Sequence, residues 1–532
     1  MASHTLTAAD TAADAVTLRA LFEAALDKYA ERDAITVDGE TATYAELDRR
    51  ANAVAHGLVE RGVEREDRVA LLMSNRLEFV IADLALCKAG ATRLPLNDML
   101  TAEEFRYMLD DAGAGTVVAG PQFVETVADL AGELPELETV IGVSDGPSLP
   151  EGVEAFDALD GSAVDPPQRP VDGDHIQGHY YTGGTTGKPK GVLQTHESMA
   201  LNQYAHIAEL GVSGDETLLL LTPLPHSAGL FLWAGLLTGA HAIIEEEFEP
   251  GTALHAIEDH GVTWTFMVPT MIYRLLDHDA LDSTDTSSLS TLVYGAAPMT
   301  PARLREGIDA FGPVFLQFYG QTEVPNLITT FGKQEHARAV ESGPEERLSS
   351  AGTVCLTSEV KIVDIQTGEE LPPGEEGEIL ATAPYAMEEY FQRPEKTAET
   401  ITDGWVHTGD VGKRDEDGYV YLLDRESDVI ITGGMNVYST EVEEAIAGHP
   451  DVAEVAVIGV PHDEWGEAVH AVVVADGVGA GEIRSYADER LADYKTPKSV
   501  EFVEEIPKTP YGKHDKVALR DRHWADEDRD IA

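Results

Sequence analysis

Between residues 217 and 323, short apolar runs and helical segments follow one another without a break. "TLLLLTPL" (217–224) leads to "AGLFLWAGLLTGA" (228–240) and then "HAIIEEEF" (241–248). The pattern recurs as "WTFMVP", "TMIYRLLDH", "STLVYGAAP", "PARLREGIDAF" and "VFLQFYGQTE", the last ending at Glu323. Strands alternating with helices imply a mainly parallel sheet in an α/β architecture. An earlier stretch has the same grammar: "RVALLMS" (68–74), the helical "RLEFVIADLALCKAG" (76–90) and "GATRLPLN" (90–97). Residues 15–60 read as two amphipathic helices around a short hairpin, "AITVDGETATY".

The grammar changes twice further on. From 350 to about 424, "EVKIVD", "EGEILATA" and "GYVYLLDR" are short strands divided by Gly, Pro and acidic turns, which predicts a small β-subdomain. After Arg425 comes a separate α/β piece, with strands "VAEVAVIGVP" and "AVHAVVVAD" and helices expected between them. The chain has 532 residues, more than one hydrophobic core usually serves. The reading is therefore a large N-terminal domain, 1–424, of mainly parallel α/β sheets with its β-subdomain, and a small C-terminal α/β domain, 425–532, joined by a hinge near 425.

Charge narrows the partners. Asp and Glu number 96 against 37 Lys and Arg, a net charge of -59. The acids are spread between apolar segments rather than gathered in a tail, so they belong to the folded body. Such a body repels itself at low salt, and at molar salt the screening length of about 3 Å removes most of that penalty. The composition reads as that of a protein for a salt-rich cytoplasm, and it argues against nucleic acid and anionic membranes, which need basic patches. No apolar run is long enough to span a membrane, and the N-terminus lacks a secretion-signal pattern. Two cysteines, Cys87 and Cys355, make neither a disulfide framework nor a metal cluster and fit a reducing cytoplasm.

One stretch has the chemistry of phosphate binding: "YYTGGTTGKPKG", residues 180–191. It is not a Walker A loop, because only three residues separate Gly183 from Gly187 and Pro189 follows Lys188. Glycines still let backbone N–H groups approach oxygens, the hydroxyls of Thr182, Thr185 and Thr186 can donate, and Lys188 and Lys190 bring charge. Taken alone, such a loop is as readily a surface turn.

The wording resembles the signature loop of the adenylate-forming enzymes: acyl-CoA synthetases, firefly-type luciferases and the adenylation domains of peptide synthetases. Six further motifs of that family follow in its order. They are "PLPHSAGL" (223–230), "YGAAP" (294–298), "YGQTE" (319–323), "HTGD" (407–410), "DRESDVIITGGMNVYSTEVE" (424–443) and "PKTPYGK" (507–513). Together they span almost the whole chain.

The residues have readings of their own beside the resemblance. "YGQTE" ends a strand, where open α/β sheets bind ligands. There Tyr319 offers a ring face to a purine, Thr322 a hydroxyl to phosphate and Glu323 a hard oxygen for Mg²⁺; Gly320 and Gln321 complete the turn. In "YGAAP" the small residues Gly295, Ala296 and Ala297 with Pro298 let backbone lie flat against an adenine edge, or make a plain strand-to-helix turn. Asp410 can accept from both ribose hydroxyls, and Arg425 can bind ribose or phosphate oxygen, although each singly would be half of a surface ion pair. Lys508, Lys513 and Lys516 cluster in a chain with only 13 lysines against 24 arginines. That cluster could be a solvated basic patch, for instance for the phosphates of coenzyme A.

The resemblance adds roles. It implies that the 182–190 loop, including Gly184, binds ATP, that Thr185 joins Glu323 at Mg²⁺, and that His226 lies near the acyl group and the α-phosphate. It makes Lys513 the catalytic lysine, neutralising charge at the α-phosphate. It implies a carboxylic acid activated as acyl-AMP with release of pyrophosphate, then transfer to a thiol, that of coenzyme A, with release of AMP. Between the steps the C-terminal domain swings about a hinge that falls on Ser427, where many relatives have Asp or Lys. Gly433 and Gly434 would then leave room for pantetheine. The segments expected near the acyl group, "HSAGLFLWAG", "FMVPTMIYRLL" and "YGQTEVPNLIT", are apolar and carry no evident cation for a second carboxylate. That favours a fatty acid, with a simple aromatic acid second. A carrier-protein-loading enzyme, a luciferase-type oxidase and an inactive nucleotide-binding homologue are the alternatives, and the oligomeric state stays open, a homodimer included.

Overall fold

The computed structural model describes residues 16–146, 148–159, 161, 163–182, 188–462, 464–475, 477–508 and 514–524. The chain divides into two compact units. One is built from the residues up to Thr182 with Lys190–Glu359 and Ala381–Val406, the other from Val360–Leu380 and the chain from His407 onward.

The first unit holds two large sheets. In the nine-stranded sheet, six neighbours run parallel: Phe315–Tyr319, Thr291–Tyr294, Trp264–Met267, Thr217–Leu220, His241–Ile244 and Asp33–Val37. Antiparallel strands close both edges, Glu40–Thr43 at one and Thr329–Phe331 with Thr353–Val354 at the other. The central strands are buried throughout, as in Phe315–Tyr319 and Trp264–Met267, which is why they read as unbroken apolar runs rather than alternating ones. The eight-stranded sheet has a parallel series through Ile176–Thr182, Thr92–Pro95, Arg68–Leu72, Thr116–Ala119, Thr139–Gly142 and Val153–Ala155. Lys190–Thr195 and Glu389–Tyr390 add to it antiparallel.

Two helices are core rather than amphipathic. Leu77–Ala89 is buried nearly all round and ends at Gly90 in the left-handed region, φ 71°. Its Asp83 pairs with the buried Arg93 at 2.9 Å and accepts from Trp233 Nε1 at 2.8 Å, so neither charge is buried unpaired. Gly229–Thr238 is likewise buried, and Phe231 meets the rings of Trp264, Phe266 and Phe318 at centroid separations of 5.4, 4.9 and 5.6 Å.

In the second unit, Trp405–Arg414 and Val420–Arg425 form an antiparallel pair beside Gly377–Thr382 and Glu359–Val363. A further sheet joins Val452–His462, Gly466–Ala475, Ile430–Thr432 and Met435–Val437, with Ser499–Phe502 running parallel to Gly466–Ala475. Here the expectation of helices between "VAEVAVIGVP" and "AVHAVVVAD" is corrected. The two strands form one long antiparallel hairpin, registered from Val452↔Ala475 to His462↔Gly466, and too few residues join them to hold a helix. The helices Ser439–Ala447 and Ala480–Asp488 flank the hairpin in sequence. Both faces are buried: Val442, Ile446, Val457, Val469 and Ile483 pack on one, Ala456, Ile458, Val472 and Leu519 on the other. That two-sided burial makes the strands apolar throughout, which is the pattern of a helix-covered parallel strand as well.

Candidate active site

The first unit gathers several of the sequence-predicted site residues at the C-terminal ends of parallel strands. The strand Phe315–Tyr319 delivers Tyr319, and the chain then turns through Gly320, Gln321 and Thr322 to Glu323. Gly320 is required by space: a Cβ there would lie 2.4 Å from the backbone carbon of Asn326. Asn326 is itself in the left-handed region, φ 62°. Its amide meets His206 Nε2 at 3.1 Å and accepts from Ser227 Oγ at 3.0 Å. Ser227 Oγ also lies 3.3 Å from Nδ1 of His226. His226 is exposed and leaves the helical region (φ -110°, ψ -153°) after the two prolines of "PLPH", so a polar chain runs from the His226 turn to the "YGQTE" turn.

Glu323 is buried. Its Oε1 accepts from the Tyr390 hydroxyl at 2.6 Å, and its carbonyl accepts from Met387 N at 2.8 Å. Lys190 Nζ donates to the same tyrosine oxygen at 3.4 Å and sits 4.4 Å over the Tyr390 ring. Burial pulls the Lys190 pKa below the ordinary lysine value, against the opposing pull of Glu323. Tyr390 thus joins two predicted residues 133 positions apart, and it went unread in the sequence. It reaches them through the pairing of Glu389–Tyr390 with Lys190–Thr195, which no local motif announces.

Thr182 and Lys190 are Cα partners at the ends of adjacent antiparallel strands, so they form the base of the glycine-rich segment. Lys188 is exposed. The predicted Gly183, Gly184, Thr185, Thr186 and Gly187 lie outside the described residues. His179 fixes this base from below: a Cβ on Gly191 would lie 1.7 Å from its Nε2, so glycine is required there. Gly295 follows the strand Thr291–Tyr294, the neighbour of Phe315–Tyr319, and is also held by space, with the Phe318 carbonyl oxygen 2.8 Å from a would-be Cβ. Ala296 follows with φ 64°, a strained value for a residue with a side chain. Ala296, Ala297 and Pro298 are exposed, leaving a flat small-residue ledge.

The second unit holds the other predicted residues. Asp410 and Arg425 face each other across the antiparallel pair, and Arg425 Nε meets Asp410 Oδ1 at 2.7 Å. Asp410 follows Gly409, φ 65°, and Thr408, whose hydroxyl donates to the Ile379 carbonyl at 2.6 Å. Ser427 lies in a single turn, Glu426–Asp428, with a fastened acid on either side. Asp424 accepts from the backbone N and hydroxyl of Ser439, at 2.5 and 2.7 Å, and Asp428 pairs with Arg520. Gly433 and Gly434 form the tip of the hairpin between Ile430–Thr432 and Met435–Val437, with φ 58° and 79°.

Lys513 lies outside the described residues. Of its neighbours, Lys508 pairs with Glu454 at 2.9 Å, while Lys516 is largely buried, 2.7 Å from both Glu443 and Ser439 Oγ. Burial disfavours the Lys516 cation, but Glu443, Asp424 and Asp428 outweigh it and raise the pKa. Lys508 and Lys516 therefore do not form a free basic patch.

Residues 22–391 match the family model of the AMP-binding enzyme, and residues 441–513 match that of the AMP-binding enzyme C-terminal domain. The medium/long-chain-fatty-acid–CoA ligase FadD8 of Mycobacterium tuberculosis is 35% identical over 520 residues, 95% of this chain and 90% of that protein. A feruloyl-CoA synthase of an Amycolatopsis species is 39% identical over 495 residues, 92% of this chain and 95% of that protein. The crystal structure of ATP-bound MatB from Rhodopseudomonas palustris matches with a TM-score of 0.85 at 32% identity, over 97% of this chain and 100% of that one.

Proposed function

Because the chain belongs to the AMP-binding enzyme family, we propose that it activates a carboxylic acid with ATP and passes the acyl group to coenzyme A. It is an AMP-forming acid–thiol ligase. In the first step a carboxylate oxygen attacks the α-phosphorus of ATP and the bond to pyrophosphate breaks, giving acyl-AMP. In the second the thiol attacks the acyl carbonyl, loses its proton and expels AMP. The protein's part is positioning and charge neutralisation.

The observation that carries this reading is the Glu323–Tyr390–Lys190 cluster at the base of the glycine-rich segment. Lys190 with Lys188, Thr182 and residues 183–187 cradles the phosphates, and Lys513 supplies charge at the α-phosphate. Tyr319 and the Gly295–Pro298 ledge take the adenine, and Asp410 with Arg425 takes the ribose. His226 and Thr322 border the reacting phosphate and acyl groups. Mg²⁺ fits Glu323, a buried carboxylate oriented by the Tyr390 hydroxyl, with Thr185 as second ligand. When bound it supplies a Lewis acid for phosphate charge. Residues 425–532 are the mobile domain, turning at Ser427, with Gly433 and Gly434 beside the pantetheine.

For the acid we propose a medium or long fatty acid, supported by the apolar segments after His226 and by the likeness to FadD8. The higher identity to a feruloyl-CoA synthase favours an aromatic acid as the second reading. Pyrophosphate release across a panel of fatty and aromatic acids, with and without coenzyme A, decides between them. Fastest CoA-dependent turnover on fatty acids is expected. Faster turnover on hydroxycinnamates selects the aromatic reading, and adenylation without any CoA ester formed rejects coenzyme A as acceptor.

Among the described residues no helix is long and apolar enough to cross a membrane, and both cysteines are free and buried. We place the enzyme in a salt-rich cytoplasm on its net charge of -59. Dialysis from molar to about 0.01 M KCl stretches the screening length to roughly 30 Å. Near-UV circular dichroism and CoA-ester formation are both expected to fall; an unchanged spectrum with full activity rejects the salt requirement.

A further inference from the structure

We propose that His470, Glu501 and His523 form a binding site for a zinc-type divalent metal in the C-terminal unit. His470 stands on Gly466–Ala475 and Glu501 on the parallel strand Ser499–Phe502, with His470↔Ser499 and Val472↔Glu501 in register. Residues 470 and 472 share a face of their strand, so the register puts His470 and Glu501 on the same face. The helix Lys516–Asp521 packs on that face through Leu519, and His523 follows it directly. Trp524 holds the same segment by donating from Nε1 to the Gly459 carbonyl at 2.9 Å.

The ligand atoms already lie at coordination spacing. Glu501 Oε2 is 3.5 Å from His470 Nε2 and 3.8 Å from His523 Nε2, and all three ligand atoms lie within 4.8 Å of one another. Zinc bonds of about 2.0–2.2 Å in a tetrahedron put ligand atoms roughly 3.3–3.6 Å apart. The 3.5 Å spacing at His470 is long for a hydrogen bond, and His470 Nε2, buried, makes none. Nδ1 of the same ring meets Ser499 Oγ at 2.7 Å, which orients the imidazole with Nε2 toward the site, the usual outer-shell arrangement for a ligating histidine. Two imidazoles and a carboxylate suit Zn²⁺ and its first-row neighbours and not Mg²⁺, which asks for oxygen ligands. The ion would bridge two strands to the segment that begins immediately after Lys513.

The test uses tag-free full-length protein stripped with chelator, then equilibrium dialysis against Zn²⁺ with metal analysis, with and without excess Mg²⁺. One equivalent of Zn²⁺ per chain, undisturbed by Mg²⁺, is expected, together with a higher melting temperature. His523→Ala, at an exposed position, and Glu501→Gln should both lose the equivalent while keeping the wild-type far-UV spectrum. Ser499→Ala should weaken binding by about 10–100-fold. No bound equivalent in the wild type, an equivalent displaced by Mg²⁺, or an equivalent retained in both His523→Ala and Glu501→Gln overturns the site.

Discussion

Two glycine turns of this molecule need their glycines for opposite reasons. At Gly320 the reason is crowding: the Asn326 backbone occupies the place of a side chain. At Gly434 nothing lies within 4 Å of a Cβ, and the reason is torsional, since Gly433 and Gly434 both have positive φ at a hairpin tip. The contrast extends to the polar groups. The first unit buries four imidazoles of strongly lowered pKa, His179, His196, His206 and His336, and the Asp83–Arg93 ion pair, whereas the second buries His449 and His470 and has two such pairs, Lys516 on Glu443 and Arg520 on Asp428. One region is a cradle shaped by packing; the other keeps an open tip on a body tied by ion pairs. Such a contrast suits the proposed function, in which one region takes the phosphates and adenine and the other changes its pose between two steps.

The largest expected effect tests that division directly. Lys513→Ala should slow acyl-adenylate formation by about 10²–10³-fold or more, measured as pyrophosphate release. CoA-ester formation from supplied acyl-adenylate should stay near wild type. Equal losses in both half-reactions would dissolve the assignment of this lysine to one step.

Acid should distinguish the two units next. Burial lowers the pKa values of His179 and His196 to about 3 and of His206 and His336 to about 4. In the unfolded chain they titrate near 6.5. Stability from these groups is therefore complete above about pH 7.5 and is lost as pH falls through about 6.5 and below, because only the unfolded chain takes up the protons. The four together amount to about 3 kcal/mol between about pH 7.5 and 6. Urea unfolding with hydrogen exchange resolved by unit should show the first unit loosening first. Parallel loosening of both would break the contrast.

How these features could be read from sequence differs by residue. The strands from Leu218 to Tyr319 announce themselves because they are buried on both faces. The strand Trp405–Arg414, which carries Asp410, does not, because "HTGD" interrupts any apolar pattern. Glu323 and Asp410 were legible as parts of ordered motifs. Tyr390 was not, since only strand pairing brings it to Glu323, 67 residues earlier in the chain. The crowding at Gly320 is a property of neighbours and leaves no trace in a glycine's letter.

Smaller effects sharpen the comparison. Gly320→Ala should cost about 1–3 kcal/mol as overpacking and reduce adenylation, read from the urea midpoint and pyrophosphate release. Tyr390→Phe removes a hydrogen bond to a carboxylate, about 1.5 kcal/mol or roughly tenfold in rate. Glu323→Gln should raise the Mg²⁺ concentration needed for half-maximal rate, and an unchanged Mg²⁺ dependence would remove Glu323 from the metal. Gly434→Ala should cost only about 1 kcal/mol and slow the CoA step alone. A cost equal to that of Gly320→Ala would erase the distinction between crowded and open turns.

Asp424 and Asp428 bracket Ser427, and both are fastened to the same body, one on Ser439 and the other on Arg520. A pivot proposed there is clamped on both sides and would not turn freely. On the proposed pivot, rotation at Ser427 would first have to release Asp424 from the start of the helix Ser439–Ala447, and the carboxylate would work as a detent in a ratcheted joint. The dwell time of such a joint would then be governed by an occasional slip of a few hydrogen bonds, and not by viscous drag on a domain moving through water.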